Sequence, residues 1–536
     1  MTFLKDKSIY IAIIFIFLFF LQGIFKLPVI DRDEARFASA SKTMIESSDY
    51  IDIKMNEETR YKKPIGIYWI QSTFNFLFSS KPYDKIWSYR LPSLVGIILS
   101  LCILSYFLSL IYNRKVAFLN LIFLSSSLLT ISEVHQAKTD GMLFLTVCIC
   151  NLLIFSGLDK GNLSPKKKFT FWVFLAFGVL IKGPIIFVFV FFPLIIVSFI
   201  KKINYFKLLW SFNSFIVFVL ISVPWFVLIT IKSNGLFWYE SFVNDLLNKV
   251  KSGQESHGFP PGYYSILIFL FFWPASIFVP NYLCKIKKFF GRDSKVELTE
   301  LYLMIWFIAP FILFEIIPTK LPHYIYPSYI PLSILISKML DKKNVSSEVL
   351  KYTLVPIMVY PMVVISLLFF AINEYSVVDT YSILIFSILL MIFAYLLFYL
   401  FKKNLKKIII LGVTFQTTFY LILVYFMVPK LEKFWISEKI NSIIDSRKVD
   451  YDAIFHYGFN EPSLMFLVSH KSEKASPADL EPQKLLSKKV LFILADDYSQ
   501  VISKDNSFSN FSLIDQFVGF NYTRGKEVQI KIFSNQ

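Results

Sequence analysis

Residues 8–27 read SIYIAIIFIFLFFLQGIFKL, and residues 28–37 continue as PVIDRDEARF. The first segment has about 20 mostly apolar residues, the length at which an α-helix crosses the hydrocarbon core of a bilayer. The second segment places an acidic pair, Asp33 and Glu34, a few residues beyond that helix. Because carboxylates are costly in hydrocarbon, this pair must face water or a polar site. The stretch therefore predicts a membrane protein with a polar site close to one membrane surface.

The same apolar pattern recurs along the chain. Of its 536 residues, 55% are hydrophobic and 17% are charged, against about 25% charged residues in an average soluble domain. This composition excludes a disordered chain, a coiled coil and an ordinary soluble enzyme. We identify thirteen candidate spans, at residues 8–27, 89–111, 116–132, 141–157, 169–181, 184–200, 208–231, 262–283, 299–317, 324–339, 350–372, 380–400 and 408–428. The predicted fold class is therefore an all-α polytopic membrane protein.

Basic residues are distributed unevenly among the loops that join these spans. Of the 55 Lys and Arg residues, 23 fall in short loops of one parity and six in short loops of the other. In membrane proteins the cytoplasmic loops carry the excess of Lys and Arg. The pattern predicts a cytoplasmic N-terminus and, because the number of spans is odd, a C-terminus on the outer side. The net charge of +17 is then a topology signal, and we expect no nucleic-acid partner.

Polar residues gather on the predicted outer side. Two long outer segments cover residues 28–88 and 232–261, and the short outer loops contribute Glu133, His135, Lys138, Asp140, Lys182, Lys320 and His323. Ionisable groups at helix ends on one side of a membrane indicate a functional site. Helix capping by Asp140 and snorkelling of Lys182 and Lys320 are the alternatives. The convergence of all these groups on one leaflet favours a site.

The composition changes near residue 430. From there to residue 536, acidic and basic residues are evenly spread, and strand-like runs such as 490–494 and 528–533 alternate with turn residues. We therefore expect two domains, a transmembrane domain over residues 1–429 and a small outer α/β domain over residues 430–536. The tripeptide Asn521-Tyr522-Thr523 matches a glycosylation sequon, which is a weak signal on its own.

Seven short motifs, in order and each at the expected membrane depth, give the chain a resemblance to a known family. They are Asp33-Glu34-Ala35-Arg36-Phe37, Tyr61-Lys62-Lys63-Pro64 with Tyr68-Trp69, Arg90-Leu91-Pro92-Ser93, Thr139-Asp140, Lys182-Gly183-Pro184, Pro224-Trp225 and Lys320-Leu321-Pro322 with Tyr324. On these residues the membrane portion resembles the bacterial membrane glycosyltransferases of the aminoarabinose-to-lipid-A type, within the wider family of protein O-mannosyltransferases. The tail matches weakly, chiefly at Glu461-Pro462-Ser463.

The resemblance implies a GT-C fold of about thirteen transmembrane helices, with a large first periplasmic loop that carries interfacial helices. It also implies an enzyme of the bacterial inner membrane that transfers a sugar from a polyprenyl-phosphate donor to lipid A or lipopolysaccharide core, with membrane lipids around it. Residues 254–264 resemble an alphaproteobacterial branch, in which the sugar and the acceptor can differ from aminoarabinose and lipid A. The aromatic stretches 65–78 and 260–273 are candidates for the border of a lipid-tail cavity.

Roles for individual residues follow from their chemistry together with the resemblance. A carboxylate beside the acceptor can orient it or take its proton, so we expect Asp33 and Asp140 to be catalytic. The departing phosphate needs fixed cations, which Lys63, Arg36 and Lys320 would supply. We expect Glu34, His257, Lys182 and Tyr324 to bind substrate.

Metal binding is an open question at this stage, and no cofactor is required. Relatives have Glu where this chain has Lys62, and a Glu there could join His257 in holding a divalent metal. With a lysine at this position, we leave the metal unassigned.

Three other classes of function compete with a transferase. A lipid flippase or transporter usually places charged or broken segments near the bilayer midplane, often in two repeated halves, and we find neither pattern in this sequence. A polymerase or ligase of surface glycans uses similar lipid-linked donors and is poorly separated by sequence. An assembly or receptor protein would depend wholly on the tail, whereas an enzyme with its site in the outer loops should retain some activity without residues 430–536.

Overall fold

The computed structural model describes residues 7–56, 58–251, 258–283, 297–341, 353–375, 380–447, 451–468, 472–475, 489–496 and 510–535. Most of these residues are helical. The α-helices are α1 Lys7–Lys26, α2 Asp33–Ser47, α3 Gly66–Phe78, α4 Ile86–Ile111, α5 Arg114–Ser126, α6 Leu128–Val134, α7 Asp140–Lys160, α8 Pro165–Lys182, α9 Ile185–Lys201, α10 Phe212–Lys232, α11 Leu236–Trp238, α12 Asn248–Lys251, α13 Tyr263–Phe271, α14 Leu298–Ile316, α15 Tyr329–Asp341, α16 Leu354–Tyr375, α17 Thr380–Phe401, α18 Leu405–Ile422, α19 Val428–Lys430, α20 Ile436–Ser446 and α21 Pro462–Leu467.

The helices confirm a multi-span membrane protein. Within the described ranges, eight helices are long and apolar enough to cross a membrane, or nine if the bent pair of α5 and α6 forms one span. The remaining predicted spans fall on shorter or more polar helical segments, such as α9 and α13. The predicted count of thirteen spans therefore stays a prediction. Segment 182–184 does break the chain between α8 and α9, because Gly183 adopts a φ of 62° that ends the helix.

Helix α7 lies at the centre of the bundle and carries Asp140 at its first position. Its apolar window is 83% buried, more than that of any other described spanning helix. It packs closely against α4 at a crossing lined by Gly96 and Gly141. A Cβ atom added at Gly141 would lie 2.7 Å from the Ser93 Cα atom, so the two backbones meet without room for a side chain. This contact fixes the height of Asp140 relative to α4.

We expect Gly141→Ala to destabilise the protein by about 1–3 kcal/mol, because the added methyl group overpacks the α4–α7 crossing. The gain in helix propensity from Gly to Ala, roughly 1 kcal/mol, offsets only part of this cost. Thermal unfolding in detergent measures the change. Gly412→Ala in α18 is the milder comparison, since its Cβ would lie 3.1 Å from the nearest atom, a side-chain carbon of Pro274. Equal melting temperatures for the two variants would contradict the close contact.

The first outer segment folds into two helices and a short hairpin. Helix α2 begins at Asp33, strands β1 Lys54–Met55 and β2 Glu58–Thr59 pair antiparallel, and α3 follows. Helix α3 exposes Phe76, with 70% of its surface accessible, beside Leu77 and Phe78. An apolar face at this position suits the acyl boundary of a membrane. The first outer segment therefore contains the two predicted helices, and their periplasmic, interfacial placement stays a prediction.

The C-terminal part contains a five-stranded mixed sheet. Its strands are β3 Ala453–Tyr457, β4 Glu473–Lys474, β5 Val490–Ala495, β6 Ser512–Asn521 and β7 Lys526–Ser534, in the spatial order β4-β3-β5-β7-β6. Strand β3 runs parallel to β4 and β5, whereas β7 runs antiparallel to β5 and β6. Helix α20 packs its Ile436, Ile440 and Ile444 against one face of the sheet. A small α/β unit at this end of the chain agrees with the predicted fold class, and its boundary at residue 430 stays a prediction.

Candidate functional site

A cavity of about 390 Å³ opens where the outer loops meet the ends of the spanning helices. Among the described residues, seven basic and three acidic side chains line it, together with an apolar wall. The basic residues are Arg36, Arg60, Lys62, Lys63, Lys138, Lys182 and Lys249, and the acidic ones are Asp33, Asp140 and Asp245. A cavity with this excess of positive charge suits an anionic ligand.

Asp33 reaches the cavity from the first turn of α2, where the positive end of the helix favours a carboxylate. Desolvation opposes ionisation of this side chain. The nearby cations of Lys138, Arg60 and Arg36 outweigh it, however, and hold the pKa of Asp33 below its usual range. The group is therefore an anion at neutral pH and can accept a hydrogen bond or a proton.

Asp140 faces the cavity at the start of α7 and pairs with Lys182 at the end of α8. The Lys182 Nζ atom lies 2.5 Å from Asp140 Oδ1; the Asp140 side chain is buried and that of Lys182 is partly buried. Lys182 also lies over the Tyr324 ring, 5.7 Å from its centroid. The break at Gly183 ends α8 at Lys182, so the local backbone brings this ammonium group to the carboxylate.

Lys63 also lines the cavity and pairs with an acidic residue of the second outer segment. Its Nζ atom lies 2.5 Å from Asp245 Oδ2, and the Lys249 Nζ atom lies 2.6 Å from Asp245 Oδ1. Asp245 belongs to a π-helical segment, Tyr239–Leu247, which continues into α12. Burial lowers the pKa of Lys63 to about 8, although Asp245 opposes the shift. The pKa of Asp245 falls to about 2 because the two lysines outweigh its own desolvation.

Lys138 lines the cavity and interacts with three acidic side chains. Its Nζ atom donates to Glu133 Oε1 at 3.0 Å, and both side chains are buried. Burial would lower the pKa of Lys138, but Glu133, Asp140 and Asp33 together raise it. His323 is held neutral nearby, because desolvation and the charge of Lys138 lower its pKa to about 3. Lys138 is therefore a buried cation whose charge acts on both predicted catalytic carboxylates.

Comparisons with known proteins find one matching family model and several similar sequences. Residues 62–226 match the family model described as dolichyl-phosphate-mannose-protein mannosyltransferase. The chain is 27% identical over 311 residues to undecaprenyl phosphate-alpha-4-amino-4-deoxy-L-arabinose arabinosyl transferase 2 of Proteus mirabilis, covering 57% of this chain and 54% of the relative. The corresponding transferase of Photorhabdus laumondii is 27% identical over 331 residues, which cover 60% of this chain and 57% of the relative. The chain thus spans little more than half the length of the curated relatives that it matches.

The structural comparison covers almost the whole molecule. The crystal structure of ArnT from Cupriavidus metallidurans bound to undecaprenyl phosphate matches with a TM-score of 0.76 and 16% identity, covering 99% of this chain and 98% of that one. The chain has an ArnT-like, GT-C-type fold. This finding confirms the predicted fold class, and together with the sequence matches it confirms the resemblance stated from the seven motifs.

The ArnT-like fold brings six of the nine predicted site residues to the cavity, and their roles stay predictions. These residues are Asp33, Arg36, Lys63, Asp140, Lys182 and Tyr324. The apolar wall differs from the expectation, because none of the aromatic residues of 65–78 or 260–273 lines it. Phe187, Phe226, Phe237, Trp238 and Phe242 do so instead. They come from α9, α10 and the segment after α10, which lie outside the two aromatic stretches selected from the sequence.

Glu34 does not reach the cavity, which differs from its expected substrate-binding role. Its side chain is fully buried and accepts hydrogen bonds from the Arg90 guanidinium, with Nε–Oε1 and Nη2–Oε2 distances of 2.8 and 2.7 Å. It also accepts the backbone N–H groups of Ile30 and Ala137 at 3.0 and 2.8 Å. Successive residues at a helix start point in different directions, so Glu34 turns into the protein while Asp33 faces the cavity.

Two other predicted residues are not among the lining side chains. Lys320 is fully buried, and its Nζ atom donates to the backbone carbonyls of Phe259 and Ile317 at 2.8 and 2.6 Å. These bonds tie the chain after α14 to the chain before α13, in place of the expected contact with a donor phosphate. His257 lies outside the described residues.

Six ionisable residues of the cavity were not selected as site residues from the sequence, namely Arg60, Lys62, Lys138, Asp245, Lys249 and His323. Lys138 and His323 belong to the short outer loops whose polar character was noted, so their clustering on one leaflet was the available signal. Asp245 and Lys249 have i,i+4 spacing in the second long outer segment. That spacing is equally typical of a solvated helix face, so the sequence did not distinguish them.

The described residues do not fit a divalent metal. No group of three or more His, Cys, Asp or Glu side chains in the described ranges could hold one. Lys62, the position at which the family resemblance raised the question of a metal, lines the cavity. An ammonium group is a donor without an acceptor and cannot ligate a cation. We therefore derive no step through a metal.

Proposed function

We propose that this chain is an inverting glycosyltransferase of the bacterial inner membrane. It transfers a sugar from a polyprenyl-phosphate donor, such as undecaprenyl-phosphate aminoarabinose or a related sugar, to a periplasm-facing acceptor, most consistently lipid A or lipopolysaccharide core. One observation carries the proposal: an ionised carboxylate, Asp33, lines the same cavity as a cluster of cations and an apolar wall. The names of the sequence relatives and the undecaprenyl phosphate bound to the structural relative support the donor class.

The topology is part of the proposal. The excess of Lys and Arg in loops of one parity supports a cytoplasmic N-terminus and a periplasmic C-terminal unit over residues 430–536. The contacts of that unit with the loop before Asp33 agree with a location on the same side as the cavity. A donor made in the cytoplasm would then have to be turned across the membrane before it reacts.

The reaction forms one bond and breaks another at the anomeric carbon. An acceptor oxygen bonds to this carbon from the face opposite the phosphate, while the bond to the phosphate oxygen breaks and its electron pair leaves on the lipid phosphate. When the acceptor is a hydroxyl group, its proton passes to the Asp33 carboxylate. When the acceptor is itself a phosphate, little deprotonation is needed and Asp33 chiefly orients it. Asp140, held by Lys182, is positioned to bind hydroxyl groups of the sugar or the acceptor.

The leaving phosphate gains charge in this step and requires cations that are already in place. Arg36 and Lys63 provide them in our proposal, with Lys249 beside Lys63. The aromatic side chains of the apolar wall suit the polyprenyl chain next to the phosphate. Asp245 is the counter-ion of Lys63 and Lys249 in the unliganded protein. The donor phosphate would share or replace that contact.

Transfer by the purified protein tests the proposal directly. The protein in lipid nanodiscs is incubated with polyprenyl-phosphate donors carrying an aminopentose, a hexosamine or a uronic acid, together with lipid A, and the products are analysed by mass spectrometry. A sugar-modified acceptor together with free polyprenyl phosphate is the expected result. Movement of a labelled lipid across liposomes without covalent transfer would establish a flippase instead. Products that grow only on a glycan chain would indicate a polymerase or ligase.

Lys63→Met should raise the KM for the donor about 10- to 100-fold, because a hydrogen bond to a charged group contributes roughly 1.5–3 kcal/mol. Asp245 keeps Lys249 as a partner in this variant, so the fold should persist. Lys54→Met is the control, since Lys54 belongs to the same outer segment and pairs with Asp52 outside the cavity. An unchanged donor KM in Lys63→Met would exclude the phosphate role.

The lowered pKa of Lys63 predicts that the activity toward the donor depends on pH. With a pKa of about 8 in the free protein, Lys63 is charged below that pH and loses its charge above it. The kcat/KM for the donor should therefore fall as the pH rises through about 8, since this ratio reports groups of the free enzyme. In Lys63→Arg the guanidinium stays charged, and this alkaline fall should disappear.

A further inference from the structure

The backbone just before Asp33 adopts an unusual conformation. Arg32, the residue preceding α2, has φ 68° and ψ −112°, a region that residues with a side chain rarely occupy. Strained backbone of this kind persists only where surrounding contacts fix it, and it is common at functional sites. The position of the Asp33 carboxylate therefore depends on whatever holds the loop between α1 and α2.

Glu34 of α2 and Arg90 of α4 hold this loop on one side. The Glu34 carboxylate accepts the Ile30 N–H group at 3.0 Å, and Arg90 donates to the Leu27 and Pro28 carbonyls, both at 2.7 Å. These bonds fix the beginning of the loop and the first turn of α2. They do not include the peptide groups of Asp31 or the side chain of Arg32.

The C-terminal unit holds the same loop on the other side. Four hydrogen bonds cross between them: Val29 N–H to Glu438 Oε1 at 3.2 Å, Asp31 N–H to the Tyr522 hydroxyl at 2.7 Å, Arg32 Nη2 to the Thr523 carbonyl at 2.6 Å, and Ser463 N–H to Asp31 Oδ1 at 2.9 Å. An apolar cluster that includes Val29, Ala35 and Phe466 lies beside them. Residues some 400 to 500 positions away in the sequence thus fix the two residues immediately before Asp33.

We infer that the C-terminal unit is a working part of the active site, and that Tyr522 is a positioning residue that holds the loop carrying Asp33 in its reactive place. The inference rests on the proposed function for its kinetic consequence. The contact also gives the tripeptide Asn521-Tyr522-Thr523 a role other than glycosylation. Its Asn521 side chain is buried and donates to Glu461 Oε1 at 2.9 Å. The expectation that activity survives loss of residues 430–536 is reversed by this inference.

Tyr522→Phe tests the inference in the full-length protein, because it removes one hydroxyl group and leaves the aromatic contacts. We expect kcat to fall about tenfold, since small displacements of a reacting group carry large kinetic penalties. The donor KM should change less than twofold, because the phosphate-binding residues Arg36 and Lys63 are untouched. Tyr451→Phe is the matched control, since that hydroxyl donates to Val468 within the C-terminal unit.

A double-mutant cycle separates positioning from a general loss of stability. In an Asp33→Asn background, Tyr522→Phe should lower kcat no further, because its effect acts through the missing carboxylate. An equal loss of kcat in both backgrounds, or an unchanged kcat in Tyr522→Phe, would overturn the inference.

Hydrogen–deuterium exchange tests whether Tyr522 restrains the loop before Asp33, and it requires no assay of activity. Peptides covering residues 28–37 should exchange faster in Tyr522→Phe than in the wild type, and should be unchanged in Tyr451→Phe. Unchanged exchange in Tyr522→Phe would refute the positioning contact even if sugar transfer is found. Conversely, faster exchange in a protein that transfers no sugar would retain the contact and reject the proposed function.

Discussion

Asp33→Asn should lower kcat by about 100- to 10,000-fold, the range that general acid–base groups contribute. The substitution keeps the size of the side chain but removes its charge and its basicity. Lys138, Arg60 and Arg36 favour the ionised carboxylate, so an uncharged amide loses both proton acceptance and this electrostatic match. The donor KM should change little, because our proposal assigns the donor phosphate to Arg36 and Lys63.

Initial rates with saturating donor measure this effect, and the melting temperature verifies the fold. Asp84→Asn is a suitable control, because Asp84 lies in the same outer segment and contacts the exposed Lys85. Asp140→Asn should also lose activity, and it leaves Lys182 without its partner. Full activity of both the Asp33→Ala and the Asp140→Ala variant would remove the carboxylate roles from the proposal.

Arg90→Met should destabilise the protein by about 3–5 kcal/mol, the cost of removing one partner from a buried ion pair. The side chains of Arg90 and Glu34 are both 0% exposed, and Arg90 also donates to three backbone carbonyls at the end of α1 and in the loop that follows. The substitution leaves the Glu34 carboxylate buried without its counter-ion. Thermal unfolding in detergent should show a large fall in melting temperature, together with lost activity.

The matched comparison is Lys115→Met, which removes an exposed ion pair with Asp341. Such a pair contributes at most about 1 kcal/mol, so its melting temperature should stay close to that of the wild type. Adding Glu34→Gln to Arg90→Met should recover part of the lost stability, because the uncompensated charge is then absent. Similar melting temperatures for Arg90→Met and Lys115→Met would show that the buried pair does not organise this loop.

Much of the architecture could be predicted from local sequence. Apolar runs of membrane length produced the helices, because the bilayer requires each crossing segment to satisfy its own backbone hydrogen bonds. The positions of Asp33, Asp140 and Lys182 at helix ends also follow from short-range signals, and all three line the cavity. The break at Gly183 also agrees with a short-range signal, because Gly183 tolerates its positive φ and Pro184 follows it. The residue types alone do not decide such a break, since Pro193 and Pro224 lie inside helices.

Local sequence could not predict whether an individual side chain points into the cavity or into the protein core. Asp33 and Glu34 are adjacent and chemically alike, yet one faces the cavity and the other is buried against Arg90, 56 positions further along the chain. Lys320 likewise looks like a phosphate ligand in sequence but donates to backbone carbonyls. Which carboxylate or ammonium group is used depends on what lies opposite it, and that is set by packing between distant segments.

Local sequence is enough to specify a polytopic membrane protein with its charges concentrated near one surface, because hydrocarbon excludes charge from every span independently. Long-range packing, in contrast, brings Lys63 to Asp245 and the Tyr522 hydroxyl to the N–H group of Asp31. Those contacts join segments about 180 and 490 positions apart. No periodicity or local motif encodes them, since they exist only once the helices and the C-terminal sheet have packed around the same loop.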